Sequence, residues 1–243
     1  MADILQKSLP YDPFDPRPLP GIQPFVLNDW LVEDEALAGQ MALRDQLLQQ
    51  SRDAVLAMDD SARLAAEELL DMVLGLVCPV ATDVVTRSDG VEVAINRSDP
   101  MGTLGRLVQE DLCILQKSGD EHILTGAVLC FSTSWMLEEK FMHPLIGIHQ
   151  TVDEYDGGMA ARVQRLFDGV QPGRPLWRFN ALWYQDPSLH QPRSIHARRD
   201  HPNDGEGDFL RSERQCILRL PQTGAVVFSI HTYVLARADV TGA

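Results

Sequence analysis

The sequence lacks the features that mark several broad classes of protein. No apolar run approaches the roughly 20 residues that a membrane-spanning helix needs. The first residues hold no basic stretch followed by an apolar core, so we expect no signal peptide. Glycine-rich phosphate-binding motifs of the Rossmann or P-loop type are also missing. Internal repeats and low-complexity segments are absent as well.

Basic residues are scarce, and the cysteines do not fall in metal-binding pairs. The chain has 21 Lys and Arg against 35 Asp and Glu, which gives a formal net charge of -14. Such a charge argues against non-specific nucleic-acid binding and favours solubility and a partner with a basic surface. The four cysteines form no CxxC pair, which argues against a zinc knuckle. We interpret them as reduced thiols and predict a cytoplasmic location.

Proline is concentrated at the N-terminus, where six prolines lie between residues 10 and 24. Proline at this density prevents helix formation and interrupts strand pairing. Residues 1–27 are therefore predicted to form an extended arm on the domain surface, with Tyr11, Phe14 and Phe25 as apolar anchors. The alternative is a loose tail. Residues 28–243 are predicted to form a single domain with an N-terminal helical extension.

Two amphipathic helices are predicted after the arm. Asn28 or Asp29 can cap a helix that begins near Trp30. Asp60 or Ser61 can cap a second helix, whose apolar stripe runs from Leu64 to Leu76, and Cys78-Pro79 ends it.

The rest of the chain contains mainly strands joined by short turns. The predicted elements are a hairpin over 83–95, a helical turn at 104–109, strands 111–116 and 122–131, a short helix 135–141, an irregular segment around His149, a helix 152–167, a strand 176–184, a long loop 186–208, and strands 209–220 and 225–235. Helices first and strands second predict an α+β fold with an antiparallel sheet and inserted helices.

Histidine 149 is the first candidate for chemistry. It lies where the apolar run LIGIH gives way to the polar run QTVDEY. An imidazole at the edge of an apolar pocket suits a haem iron or a catalytic proton transfer. The alternative is a partly buried histidine that is hydrogen-bonded to the backbone.

Other candidates lie on the predicted strands. His231 is in mid-strand and could line a pocket. Glu110 and Asp111 are adjacent, so on a strand they face opposite sides and do not form a paired acid–base dyad. The arginines at 211, 214 and 219 together with Glu213 are typical of a solvated strand face with ion pairs. Alternatively, Arg211 or Arg214 binds a carboxylate or a haem propionate.

Four blocks of sequence, in order, resemble one known family. They are LVQEDLCIL, AVLCFSTSWMLEEKFMHPLIGIHQTVDEY, LFDGVQPGRPLWRFNALWYQDP and LRSERQCILRLPQTGAVVFSIHTYV. The chain is similar in these blocks to the α-subunits of haem-dependent oxidative N-demethylases. The resemblance extends from about Pro18 to Leu235, nearly the whole chain.

This resemblance implies a PAS-like domain that binds haem b and acts as an oxygenase. It implies that O₂ is activated at the haem iron and that a small secondary amine such as dimethylamine loses a methyl group as formaldehyde. Electrons would come from a separate subunit that carries flavin and an iron–sulfur centre, and a homo- or hetero-oligomer would be compatible with this. The alternatives that we keep open are a haem-binding PAS-like sensor and a non-catalytic binding domain.

The resemblance also implies roles for particular residues. The family's IH-x-x-V-x-x-Y block falls on Ile148, His149, Val152 and Tyr155, which makes His149 the expected axial ligand of the iron. The predicted pocket lies between a wall formed by residues 108–152 and a far wall formed by 209–235. The candidate ligands of the propionates are Arg178, Arg211 and Arg214, and the candidate catalytic or amine-binding residues are Glu110, Trp135, Tyr155, Trp183 and His231.

Overall fold

The computed structural model describes residues 3–15, 21–80, 82–133, 135–149, 157–194, 197 and 206–240, with the backbone alone for residues 149 and 157–160. The six α-helices of the described chain are α1 (Leu37–Gln50), α2 (Arg52–Val55), α3 (Arg63–Val77), α4 (Pro100–Leu107), α5 (Leu145–His149) and α6 (Gly157–Gly169). The strands are β1 (Gln23–Pro24), β2 (Leu56–Met58), β3 (Val84–Thr86), β4 (Glu92–Ala94), β5 (Asp111–Ser118), β6 (Glu121–Val128), β7 (Leu176–Tyr184), β8 (Phe209–Arg219) and β9 (Val226–Ala236). The predicted α+β class is confirmed.

Seven of the strands form one antiparallel sheet in the order β1-β7-β8-β9-β5-β6-β2. Strands β3 and β4 form a separate hairpin, with Gly90 at φ 84° in its turn, as predicted. The two long hairpins β5–β6 and β8–β9 are joined edge to edge, because Leu112 of β5 pairs with Ser229 of β9. The expectation that these hairpins form facing walls of a pocket is therefore wrong: they are neighbours in one sheet.

The sheet has two covered faces, because successive side chains of a strand point to opposite sides. We call the side that packs against Trp30, α1, α3 and α4 the N-terminal face. The side that packs against α5 and α6 is the α5 face. On β9, His231 and Tyr233 lie on the N-terminal face, whereas Phe228, Ile230 and Thr232 lie on the α5 face. A candidate residue is therefore assigned to a side by its position along its strand.

The N-terminal arm packs on the sheet through its predicted aromatic anchors. Tyr11 stacks on Phe179, with ring centroids 4.5 Å apart, and Phe14 lies 6.4 Å from Trp183. Phe25 packs against the core of the N-terminal face. Further along β9, beyond the end of β5, the backbone amide of Gln6 donates to the carbonyl of Val234 at 2.9 Å. The described part of the arm is thus a covering layer and not a loose tail.

The first predicted helix begins later than expected. Trp30 follows a short 3-10 turn and is fully buried, and its indole N–H donates to the hydroxyl of Ser229 at 2.7 Å. Between Trp30 and α1, the backbone amides of Val32 and Asp34 donate to the side chains of residues 110 and 109. These tertiary hydrogen bonds replace the local ones that a helix would need.

The second helix, α3, ends at Cys78 as predicted, but its start and its stripe differ. Asp59, not Asp60 or Ser61, provides the capping carboxylate, for a 3-10 turn that leads into the helix. Leu64 is 70% exposed, because it lies nine residues before the buried Val73 and so on the opposite side of the helix.

The region around His149 differs most from the prediction. Residues 135–141 contain only a 3-10 helix, Leu137–Glu139, and the segment expected to be irregular forms the short helix α5. Pro144 does not prevent this helix, because proline is tolerated at a helix start and its carbonyl accepts from the amide of Ile148 at 3.0 Å. α6 begins at Gly157, and the predicted helical residues 152–156 lie outside the described residues.

The predicted strands 176–184, 209–220 and 225–235 agree with β7, β8 and β9 to within one residue at each end. The four cysteines, Cys78, Cys113, Cys130 and Cys216, are free thiols. No described helix has both the length and the apolar character required to cross a membrane.

Candidate functional site

A charged cluster lies buried on the N-terminal face around His231. The two ring nitrogens face two carboxylates: Nδ1 lies 3.2 Å from Oε1 of Glu110, and Nε2 lies 3.0 Å from Oδ2 of Asp34. Burial alone would lower the pKa of His231, but the hydrogen bonds and charges of Asp34 and Glu110 raise it to about 9. At neutral pH the ring is therefore an imidazolium with a carboxylate at each nitrogen.

The carboxylates of this cluster are held by the N-terminal part of the chain. The backbone N–H of Val32 donates to Glu110 at 2.8 Å, and the amide groups of Gln6 and Gln109 donate to Asp34 at 2.8 and 3.0 Å. Burial alone would raise the pKa of Asp34, but the bonds from His231 and Gln109 hold it below its usual range. The cluster therefore ties the segment before α1 to the middle of the sheet.

A second buried ion pair lies beside this cluster. Arg44 of α1 is fully buried, and its Nη1 lies 2.6 Å from Oδ1 of Asp111. Its other donors bind the carbonyls of Gly105 at 3.0 Å and Glu110 at 2.9 Å. The Asp111 carboxylate also accepts the backbone N–H groups of residues 130 and 131, at 2.8 and 2.9 Å. These two bonds explain why β6 ends at Val128, short of the predicted residue 131.

The α5 face presents a different set of polar side chains. Asn180, Glu213 and Thr232 lie side by side on β7, β8 and β9. The amide of Asn180 donates to Glu213 Oε2 at 3.2 Å, and that of Gln215 donates to the same oxygen at 3.1 Å. The Glu213 side chain keeps 19% of its surface exposed. This row places a partly accessible carboxylate next to the apolar core of the α5 face.

Buried polar atoms without a hydrogen-bond partner in the described chain occur on both faces. On the α5 face they include Nε of Arg178, Nε of Arg211 and the hydroxyl of Thr232, and on the N-terminal face they include Oε2 of Glu110 and the hydroxyl of Tyr233. Burial lowers the pKa of Arg178, and the charge of Glu213 opposes this effect. Unpartnered polar groups of this kind are costly and mark places where a ligand or water completes the bonding. The apolar neighbours on the α5 face include Ile217, Phe228 and Ile230.

Arg211 and Arg214, expected on a solvated strand face, are both buried. Arg214 lies on the N-terminal face and donates to the carbonyls of Asp29 and Trp30 at 2.7 and 2.8 Å. Arg211 donates to the carbonyls of Phe131 and Leu189. Neither arginine is solvated, because main-chain carbonyls of other segments take the place of water. The predicted ion pairing is present for Arg211, whose Nε lies 3.6 Å from Oε1 of Glu213. Arg178 and Arg214 lie on opposite sides of the sheet, so one planar ligand cannot contact both.

The two predicted tryptophans are also separated. Trp135 packs against the apolar core of the α5 face. Trp183 lies on the N-terminal face, where the Arg237 guanidinium lies 3.8 Å from its ring centroid and Phe14 stacks on it. Of the candidate residues with described side chains, Trp135, Arg178 and Arg211 share the α5 face, whereas Glu110, Trp183, Arg214 and His231 lie on the other.

His149 lies in α5, which packs on the α5 face of the sheet. Leu145 and Ile148, on the same helix, pack in the core of that face. The side chain of His149 and all of Tyr155 lie outside the described residues. Lys140 is 3% exposed, and its ammonium donates to the carbonyl of Ile148 at 2.5 Å. Burial lowers the pKa of Lys140.

No sequence pattern indicated several residues of these clusters. Asp34 precedes α1 and had no pattern that linked it to His231, 197 residues away. Strand alternation places Glu213 on the same face of the sheet as Arg211. The sequence does not indicate which face would bind a ligand. Lys140 had no signal at all, because an isolated lysine among acidic residues is normally solvated.

Two other features were weighed as candidate sites. Within the described chain, no group of three or more His, Cys, Asp and Glu side chains could hold a metal ion. A cavity of about 520 Å³ is lined by residues of α3, the segment after it and Arg97. In this cavity, Asp71 and Arg97 are already joined in an ion pair at 2.7 Å. We therefore regard the α5 face, beside the helix that carries His149, as the candidate site.

A comparison with protein families identifies the family of the chain as a whole. The family described as "Haem-dependent oxidative N-demethylase, alpha subunit-like" matches residues 21–242 of the 243. The match includes the whole sheet from β1 to β9 and both helices of the α5 face. The chain therefore belongs to the haem-dependent oxidative N-demethylase, alpha subunit-like family.

Proposed function

We propose that this chain is the haem-binding subunit of an oxidative N-demethylase-like oxygenase that acts on a small secondary amine, such as dimethylamine, and releases formaldehyde. The family match over residues 21–242 carries this proposal. The family description supports a haem-dependent oxidative enzyme, and the substrate and the released product are our extension of it.

The strand order supports a PAS-like architecture as part of the proposal. The five long strands β5 to β9, numbered one to five, lie in the spatial order 3-4-5-1-2. Read from the other edge this is 2-1-5-4-3, the order of a PAS sheet. The helices α5 and α6 fall between the second and third of these strands and cover one face. In such an arrangement the natural place for a ligand is between these helices and the sheet.

The residues of the α5 face fit a haem, which we propose to be haem b. Haem needs an apolar surface for its ring, a ligand for its iron and cations for its propionates. Apolar side chains of this face, including Ile230 and Trp135, provide the apolar surface. Arg178, with Nε unpartnered, is available for a propionate, and Arg–carboxylate pairs are strong and directional. We assign the iron to His149 of α5.

The position of Glu213 supports a role in amine recognition. A protonated secondary amine requires a carboxylate or aromatic faces. Glu110 is 1% exposed, and its Oε1 already accepts from Val32 and faces His231 on the opposite side of the sheet. Glu213 keeps part of its surface accessible on the face that carries Trp135. We therefore place the amine at Glu213 and assign Glu110 and His231 to holding the N-terminal segment.

The haem and the protein would contribute different parts of the proposed chemistry. Haem bound at this face would supply O₂ activation for oxidation of the amine's methyl group. The chain supplies the carboxylate that orients the ammonium group, the arginine that anchors the cofactor and the apolar wall that excludes water. Electrons are proposed to come from a separate flavin and iron–sulfur subunit. The net charge of -14 would favour a basic docking surface on that partner.

The absorption spectrum of the purified protein with added hemin tests the proposal. We expect a Soret band that shifts or disappears in His149→Ala and is unchanged in His143→Ala. His143 is a suitable control because it is an exposed histidine six residues earlier in the same segment. Failure of the wild-type chain to bind hemin would overturn the haem assignment.

A turnover assay distinguishes the proposed enzyme from a haem-binding sensor and from a non-catalytic binding domain. With a surrogate reductase, the reconstituted protein should release formaldehyde from dimethylamine. Hemin binding without formaldehyde release across a panel of N-methyl amines would instead favour a haem-binding sensor.

A further inference from the structure

Lys140 is a buried cation on the α5 face whose environment differs from that of the other lysines. Its exposed fraction is 3%, whereas the side chains of Lys7 and Lys117 are 69% and 49% exposed and pair with carboxylates. No carboxylate among the described residues lies within ion-pairing distance of Lys140. The adjacent Glu139 accepts instead from the hydroxyl of Ser194 at 2.6 Å. The described acceptor of the Lys140 ammonium is the Ile148 carbonyl.

An ammonium is buried only where its bonds compensate for lost hydration. Here the bond is made to a main-chain carbonyl of α5, whose oxygen has two lone pairs and can accept this donor whether or not it also accepts a helical one. A hydrogen bond from a charged donor is about twice as strong as one between neutral groups. The bond therefore ties α5 to the segment that follows the 3-10 helix Leu137–Glu139.

The chain between Lys140 and Ile148 is folded into a closed loop. Met142 adopts a left-handed conformation with φ 60°, which turns the chain, and its amide donates to the carbonyl of Leu124 at 2.9 Å. The buried Leu137 and Leu145 fix the two ends of the loop in the core of the α5 face. The contact of Lys140 with Ile148 then closes the loop across eight residues. A left-handed conformation in a residue other than glycine is costly, and it persists where surrounding contacts enforce it.

We infer that Lys140 is a positioning residue for His149: its ammonium fixes the Ile148 carbonyl of α5 and thereby fixes the backbone from which the iron ligand extends. This inference rests on the proposed assignment of the iron to His149. The peptide bond after Ile148 belongs to both residues, so a contact with the Ile148 carbonyl constrains the backbone nitrogen of residue 149 directly. Lys140 itself need not touch the haem.

Lys140→Met tests the inference, because methionine keeps the buried apolar stem of the side chain, lacks only the terminal ammonium and cannot donate. Lys7→Met is the matched control, since it makes the same chemical change at an exposed lysine of the arm. The measurements are hemin affinity, the Soret maximum and the ferric electron paramagnetic resonance spectrum, with the melting temperature of the apoprotein measured in parallel. Lys140→Arg, which keeps a cationic donor, serves as the conservative variant.

The expected result for Lys140→Met is a hemin dissociation constant larger by about tenfold, the scale seen when a partner that orients a metal ligand is removed. Its ferric spectrum should show altered or mixed ligation, and Lys140→Arg should recover part of the wild-type signal. Lys7→Met should match the wild type. If Lys140→Met does not fold, the ferric spectrum of Lys140→Arg becomes the measurement that tests the inference.

Two further outcomes are distinguishable. A Lys140→Met protein with wild-type affinity and spectrum would overturn the positioning role while leaving the haem proposal intact. A wild-type protein that binds no hemin, or whose ligation does not depend on His149, would overturn the proposed function itself.

Discussion

The protein should lose stability at mildly alkaline pH, because the imidazolium of His231 then loses its proton. In the unfolded chain this histidine titrates near its ordinary value of 6.5, and in the folded protein near 9. Below pH 6.5 both states hold the proton, so the full stabilisation is present. Between pH 6.5 and about 9 only the folded state keeps the proton, and stability falls by about 1.4 kcal/mol per pH unit. The total loss across this window is about 3 kcal/mol.

Urea unfolding curves measured at intervals between pH 6 and pH 9.5 would show this slope. His231→Gln removes the titrating group and should give a flatter dependence, with its largest deficit relative to the wild type at pH 6. His143→Gln changes an exposed histidine and should keep the wild-type slope. Equal slopes for the wild type and His231→Gln across the window would refute the reasoning, because the carboxylates of Asp34 and Glu110 would then not be holding the extra proton.

Three other substitutions have expected results. Arg44→Met leaves Asp111 buried without its cation, so the free energy of unfolding from urea titration should fall by about 3–5 kcal/mol, and adding Asp111→Asn should recover part of the loss. Tyr11→Ala removes the stack on Phe179; it should cost about 1–2 kcal/mol and speed proteolysis of the arm, and unchanged proteolysis would contradict the covering role. Glu213→Gln should raise KM for dimethylamine about tenfold with hemin affinity unchanged, and an unchanged KM would place the amine elsewhere.

Local patterns were enough to place much of the sheet. The strand 176–184 could be predicted from LWRFNALWY, because apolar side chains at every second position, here Trp177, Phe179, Ala181 and Trp183, are typical of a strand with one covered face. The last hairpin was equally clear, since two β-rich runs flank a short turn that ends in Gly224 at φ 73°. Local signals failed where tertiary bonds replaced them, as at Trp30 and in the segment before α1.

The grouping of the candidate residues could not be predicted in the same way. Nothing in the sequence shows that β5 pairs with β9, because the pairing joins residues more than 100 positions apart. Without that pairing, the two hairpins could be imagined as opposite walls of a pocket, and Glu110, His231 and Arg214 could be placed beside His149. The sheet instead separates them by its own thickness.

The sequence by itself determined the family, the strands and the side of each strand on which a residue lies, since these depend on ordered blocks and on the two-residue period of a strand. Only the tertiary structure decided which side is covered by the N-terminal segment and which by α5 and α6. The physical reason is that apolar residues occur on both sides of the central strands, and so composition cannot tell one face from the other. The buried bonds of His231, Arg44 and Arg214 commit one face to holding the fold, and the other face carries the Arg178 and Glu213 side chains at which we propose that a ligand binds.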